Sequence, residues 1–197
     1  MKISAKAAFA CLILVLFVVM ALFLWPQSGA KLEAYVVPTP NVMIDTGRGE
    51  CQATELWVLN CETKQRELVL RGRYDDDLKK TIAAIYGPVF SLDQKSIYYV
   101  SSTFTTSGAI WRVDLKTKKN VYLIDGDTVN VIPDGKYKGM LLVDRSFIKS
   151  DRNGETMGRS DYLWLVFADG KPSFEIGKSE GADAVRFRAE HLRKARE

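Results

Sequence analysis

Histidine is almost missing from this sequence: the single one, His191, stands in the charged tail "AVRFRAEHLRKARE". A Ser–His–Asp or Cys–His arrangement would need that tail to fold back into a site. Cysteine is scarce too, with three in 197 residues. Cys11 belongs to a hydrophobic run, and Cys51 and Cys61 with one histidine do not complete a four-ligand zinc site. There is no glycine-rich phosphate loop. The acidic strings, Asp75, Asp76, Asp77 and "DRNGE" from Asp151, lack the alternating carboxylates and distal glutamate of a calcium loop. They read as turn or helix-cap material, and Asn153 before Gly154 is a hairpin signal. Lys and Arg number 28 against 24 Asp and Glu, a net charge of +4 with no basic block interleaved with aromatics. Such a spread solubilises the chain and offers no nucleic-acid surface. No spacing singles out a pair of carboxylates as general acid and base. The expectation is no catalytic residue, no metal, no cofactor and no enzyme.

What the sequence does have begins with "AAFACLILVLFVVMALFLW", 19 uncharged residues from Ala7 to Trp25, preceded by Lys2 and Lys6. A membrane-crossing helix needs about 20 such residues at ~1.5 Å each. Signal-peptide cores run only ~7–15. The length favours an uncleaved anchor. "SGA" before Lys31, with Ser28 and Ala30 at the specificity positions, leaves a cleaved signal open. The two lysines hold the N-terminus in the cytoplasm. Residues 1–30 are thus expected to be a transmembrane anchor or signal helix, with membrane contact through residues 7–25. The body then lies in the periplasm, tethered to the inner membrane, or is periplasmic or secreted after cleavage.

The body repeats itself. "ELWVLNCETKQRELVL", "AIWRVDLKTKKNVYLI" and "YLWLVFADGKPSFEI" place Trp57, Trp111 and Trp164 at intervals of 54 and 53 residues. In each copy, period-2 alternation through the tryptophan predicts a strand. Trp111, Val113 and Leu115 share one face. Turn residues follow ("ETKQ", "KTKK", "ADGK"), then a second apolar strand, so each copy is a hairpin. Aligned on tryptophan, Thr63, Thr117 and Gly170 correspond. A second strand pair precedes the hairpin in "PVFSLDQKSIYYVSS" and "VNVIPDGKYKGMLLVDRS"; the first unit takes "EAYVVP" and "NVMID" for this purpose. Leu78, Ile82 and Ile85 stand at helical spacing after an aspartate cap, which predicts one short helix there.

"FSLDQKSIYYVSS" followed by "IWRVDLKTKKNVYLI" resembles a blade of the WD-like β-propeller repeat. That repeat is found in the Tol-system periplasmic propeller and in the propeller domains of prolyl peptidases. Ser91 and Asp93 match its first serine and aspartate, and Asp114 and Thr117 match the later aspartate and threonine. Leu92 departs from the proline, whereas the third unit keeps Pro133, Asp134 and Gly135. The resemblance covers most of residues 54–177 and implies four-stranded antiparallel blades with no attached chemistry. Propellers use 4–8 blades, but roughly 165 residues after the hydrophobic run hold about three units of this length. The expected fold is all-β: three propeller-like four-stranded units in residues 31–180, forming an incomplete or small propeller. A two-sheet β-sandwich is the alternative.

Export favours a disulfide between Cys51 and Cys61. Yet the strand expected over residues 54–60 extends ~3.3 Å per residue, too far for Cα atoms that a bridge holds within ~4.4–6.8 Å. Both are therefore expected free. Residues 181–197 form a basic tail with Val185, Phe187 and Leu192 as a thin apolar stripe, a short helix expected to dock on its own domain.

A membrane-tethered or exported β-domain without a catalytic constellation points to protein binding. Small exported propeller-like domains resemble periplasmic immunity proteins that plug a toxin's active site. The partner expected is another protein, either a toxin or, in the rival reading, a subunit of an envelope complex that the domain helps to assemble. Two loops occupy equivalent places in units two and three, between the second and third strands: "STFTTSG" and "SDRNGETMGRS". They nominate Phe104, Thr105, Thr106, Arg152, Asn153, Glu155, Met157 and Arg159 as partner-binding residues. Plain solvent-facing connections are the competing reading of both.

Overall fold

The computed structural model describes residues 31–46, 49–77, 80–102, 108–150 and 156–192, excepting the side chains of residues 150, 156 and 157. The expected membrane segment, residues 7–25, lies outside them. Among the described residues no helix is long and apolar enough to cross a membrane.

Eleven strands and one α-helix make up the described regular structure, apart from a 3-10 turn at Gly135–Tyr137. The first sheet has the order β1-β2-β3, from β1 (Leu32–Asp45), β2 (Glu50–Asn60) and β3 (Arg66–Arg71). The second has β4 (Ile85–Phe90), β5 (Ser96–Ser101), β6 (Ala109–Asp114) and β7 (Asn120–Asp125), in that order. The third runs β8 (Thr128–Val131), β9 (Leu141–Ser150), β10 (Thr156–Val166) and β11 (Pro172–Lys178), again in chain order. All registered pairs are antiparallel meanders. Helix α1 (Ala182–His191) follows. Among the described residues the chain is therefore all-β, in three antiparallel sheets consistent with propeller-like units, and three sheets replace the two of a sandwich.

Two details differ from the sequence expectation. The first unit has three strands, because "EAYVVP" and "NVMID" fall in one long strand, β1. Pro38 and Pro40 lack N–H donors, and β1 is an edge strand, where that loss is tolerated. The short helix expected after Asp75 does not form among the described residues. Arg73 and Ile82 make an antiparallel bridge, and Thr81 Oγ1 accepts from Asp75 N–H and donates to its carbonyl. Ile82 and Ala83 are buried in extended chain, and Ile85 opens β4, so their spacing serves packing between sheets.

The chain divides into two compact units, Met1–Glu33 with Leu59–Gln65, and Ala34–Val58 with Arg66–Glu197. In the smaller, the turn closes from Asn60 N–H to Gln65 O, and Cys61 N–H donates to Lys31 O at 2.8 Å. The larger holds the core. Ile97, Tyr98, Tyr99 and Val100 are consecutive and all buried, so β5 is covered on both faces. Tyr98, Val100, Ile110 and Ile124 on one face pack with Val129, Leu141, Val143 and Val166 of the third sheet. The other face carries Tyr99, Trp111 and Val113, and on that side Lys118 meets Glu67 of β3. Beyond the third sheet, Ile132, Leu142, Leu163 and Leu165 pack with Ala184 of α1, joined by Tyr137, Phe187 and Leu192.

The repeat's polar residues close its turns. Ser91 Oγ donates to Asp93 and accepts from Ser96 N–H, while Lys95 N–H donates to Asp93. Asp114 receives the amide and hydroxyl of Thr117, and Asn60 Oδ1 accepts the amides of Glu62 and Thr63. Lys64 and Lys118 then take left-handed φ of 61° and 56°. In the third unit the turn is one residue shorter, and Gly170 (φ 91°) takes the part of Lys118 rather than that of Thr117. Both Cys51 and Cys61 are free.

Candidate functional site at the loop end of the second and third sheets

Of the nominated residues, Phe104, Thr105, Thr106, Arg152, Asn153 and Glu155 lie outside the described residues, as does the side chain of Met157. Arg159 is described. The backbone of Met157 and all of Arg159 sit in β10 rather than in a loop, so the connection between β9 and β10 is shorter than the sequence suggested. The loops do fall between the second and third strands of their sheets, β5–β6 and β9–β10.

Their roots converge on one carboxylate. Gly108, which ends the first connection, donates its N–H to Asp127 Oδ1 at 2.7 Å. Arg159, three residues into β10, donates from Nη2 to Asp127 Oδ2 at 2.7 Å and from Nε to Asp161 Oδ1 at 2.8 Å. Ser146 Oγ lies 2.5 Å from Asp127 Oδ2 and 2.6 Å from Asp161 Oδ1. One hydroxyl proton cannot serve two carboxylates, so the Arg159 guanidinium supplies the positive charge that holds both. The Ser146 hydroxyl first, and then Arg159, keep the Asp161 carboxyl below the usual carboxylate range.

Asp127 is positioned by the link between the second and third sheets. Its own N–H donates to Asp144 O at 2.8 Å, and Gly126 N–H donates to Gly108 O at 2.8 Å. Gly108 must be glycine: a Cβ there would come within 2.5 Å of Val100 Cγ1, 2.7 Å of Tyr86 Oη and 2.8 Å of Gly126 O. Tyr86 borders this knot, and burial, followed by the Asp127 charge, raises its phenol pKa.

Beside Arg159 stands one exposed apolar side chain. Ile148 is its register partner on β9 and is exposed on the same face, whereas Phe147, one residue earlier, is exposed on the opposite face, where its ring meets Tyr162 at 5.9 Å and the Arg145 guanidinium at 5.2 Å. Arginine beside an exposed aromatic ring, as Arg145 is beside Phe147, is a pairing enriched in interface cores. Sequence reasoning missed Tyr86, Asp127, Ser146, Phe147, Ile148 and Asp161. A signal existed for two of them: "SFIK" breaks the alternation of β9 by setting Phe147 and Ile148 side by side.

The other chemistry-bearing residues do not join this site. Among the described residues no three His, Cys, Asp or Glu side chains gather as metal ligands. Asp75 accepts from Asp77 N–H at 2.9 Å in a local turn. His191 is half-buried, with its ring 4.3 Å from Phe187 and 5.5 Å from Tyr137.

Three antiparallel meander sheets make this an all-β protein, an arrangement consistent with propeller-like units. No family model matches the sequence, and no curated protein does. Solved structures of similar shape include an acylaminoacyl peptidase of Pyrococcus horikoshii, at 18% identity and TM-score 0.49, over 78% of this chain and 24% of that one. TolB from Acinetobacter baumannii is similar at 19% identity and TM-score 0.42, over 76% of this chain and 31% of that one. The chain thus spans about a quarter to a third of the length of these proteins. The expectation that the chain is not an enzyme is corrected here, because three of the similar structures are of an enzyme. Likeness over so small a share of the peptidase assigns no reaction to this chain.

Proposed function

We propose that this chain is an exported, membrane-anchored β-domain that binds another protein through the loop end of its second and third sheets. The observation that carries the reading is the Asp127 knot, which ties Gly108 and Arg159, and so the roots of two loops from two repeats, to one point. Loops fixed at their roots lose less entropy on binding, and a rigid pair of sheets beneath them preserves their spacing. The exposed Ile148, on the face that carries Arg159, adds apolar area beside them, and Phe147 does so on the opposite face. The partner proposed is a toxin whose active site the loops plug, as a periplasmic immunity protein would. Assembly of an envelope complex is the alternative, favoured by the hydrophobic segment at residues 7–25.

Cells expressing the chain are challenged with the product of any toxin gene adjoining its own. Replacing residues 103–107 and 151–155 by Gly/Ser should abolish protection while leaving the unfolding midpoint in place. Protection that survives the double replacement refutes the loop-end reading. Absence of protection by the wild-type chain, together with loop-dependent co-purification of envelope subunits, selects the assembly reading.

A further inference from the structure

A cleft of ≈ 450 Å³ is lined by Leu70, Arg71, Arg73, Ile82, Lys118 and Asn120. It lies between β3 and β7, the edge strands of the first and second sheets. Half of its lining residues are cations. Arg71 is engaged by Glu55 at 2.8 Å, and Lys118 by Glu67. The Lys118 contact is an ion pair without hydrogen-bond alignment, so its buried ammonium still has donors to give. Arg73 is exposed, and among the described residues no carboxylate pairs with it. The two carboxylates therefore leave one positive charge uncompensated.

Asn120 adds a second, independent signal. Its Oδ1 accepts from the Tyr99 hydroxyl at 2.9 Å, but its Nδ2 is buried with no acceptor. Buried polar groups are nearly always satisfied, and one that is not calls for an explanation such as a missing ligand. Burial raises the Tyr99 phenol pKa, so the tyrosine stays a donor to Oδ1 and holds the amide in this sense. Leu70 and the buried Ile82 give the cleft an apolar side.

We propose that this cleft binds an oxyanion, the carboxylate or phosphate group of a small molecule whose apolar part rests on Leu70 and Ile82. Arg73 offers its planar fork of N–H donors, Lys118 a fixed charge, and Asn120 Nδ2 a neutral donor. Lys118 belongs to the β6–β7 turn, whereas residues 102–108 connect β5 to β6, so the two features sit at opposite ends of the second sheet. The cleft is therefore separate from the loop end, and this proposal stands whether or not the loops bind a protein.

The test uses the full ¹⁵N-labelled chain in an uncharged detergent, titrated with inorganic phosphate and separately with acetate, at constant ionic strength set by chloride. Saturable shifts of the Asn120 side-chain amide and the Arg73 Nε–H are expected. Response to phosphate alone identifies a phosphate group as the ligand chemistry; response to acetate as well extends it to carboxylates. Arg73→Gln, at an exposed position that does not threaten the fold, should weaken binding about tenfold. Asn120→Asp, which sets a carboxylate where the anion would sit, should abolish it. Lack of a saturable shift with either probe overturns the proposal, and so does Arg73→Gln binding as tightly as the wild type.

Discussion

Replacing Trp111 by alanine tests the equivalence of the three units. The indole is 5% exposed, and its ring meets Tyr122 edge-on at 5.7 Å. Truncating a buried tryptophan costs ~3–5 kcal/mol, of which an edge-to-face pair accounts for ~0.5–1.5. The indole N–H, however, is buried without an acceptor. An unsatisfied donor already costs the native state ~1–3 kcal/mol, so deleting it returns part of the loss. The expected destabilisation is about 3 kcal/mol, a large share of a domain's ~5–15. Trp57 and Trp164 are only half-buried. Trp57 donates to Glu55 at 2.8 Å, and Trp164 has the Arg145 guanidinium 5.2 Å from its ring centre. Each should cost about 1–2 kcal/mol, from partial burial plus one weak polar contact. Trp111→Phe keeps most of the ring and removes the orphan donor, so it should be milder than Trp111→Ala by at least about 1 kcal/mol. Urea titration of the full chain in mild detergent, with the slope unchanged among variants, gives these differences directly. A near-neutral Trp111→Ala beside collapsed Trp57→Ala and Trp164→Ala would refute the reasoning, because the middle unit alone has a neighbouring sheet on both sides.

Other outcomes follow from the same geometry. Gly108→Ala forces a Cβ to within 2.5 Å of Val100 and 2.8 Å of the Gly126 carbonyl, so it should lower stability by about 1–3 kcal/mol and loosen the loop root, seen as faster amide exchange at Gly108. Asp161 is held below its unfolded pKa of about 3.9, so its contribution is present above that value and lost as pH falls through the folded one. Asp161→Asn should therefore flatten part of the acid limb of a stability–pH curve below about pH 5, and an unchanged limb would contradict the Ser146 and Arg159 contacts. Arg188 donates to Asp144 at 2.5 Å and to Ser179 O at 2.6 Å. Arg188→Ala should increase protease cutting within α1 before it lowers the midpoint of the sheets.

The sequence made the strands and turns legible because their determinants are local. Tryptophan spacing and period-2 alternation found all three hairpins, and Ser91, Asp93, Asp114 and Thr117 close turns within their own unit. The helical spacing read from Leu78, Ile82 and Ile85 misled because extended residues, as Ile82 and Ile85 are, also bury at such intervals; Leu78 lies outside the described residues. Val185 was expected on the docking stripe of α1 but is 56% exposed, while Ala184 is fully buried in its place. The rotation of a weakly amphipathic helix is set by what it docks on. Asp127 was not legible as a site residue, because its partners Gly108, Ser146 and Arg159 are 19, 19 and 32 residues away.

The two prolines of β1 and the position of α1 bear on self-association. Stacked repeats with bare ends are prone to polymerise, each end templating the next copy. Here the outer face of the third sheet is occupied by α1, locked through Arg188 to Asp144. Among the described residues β1 is the outer strand of the first sheet, and Pro38 and Pro40 leave it without two of its amide donors. Lengthening this architecture by duplicating a unit after β11 would first have to dislodge the helix, so growth of the repeat array is blocked at that side by the ten residues of α1.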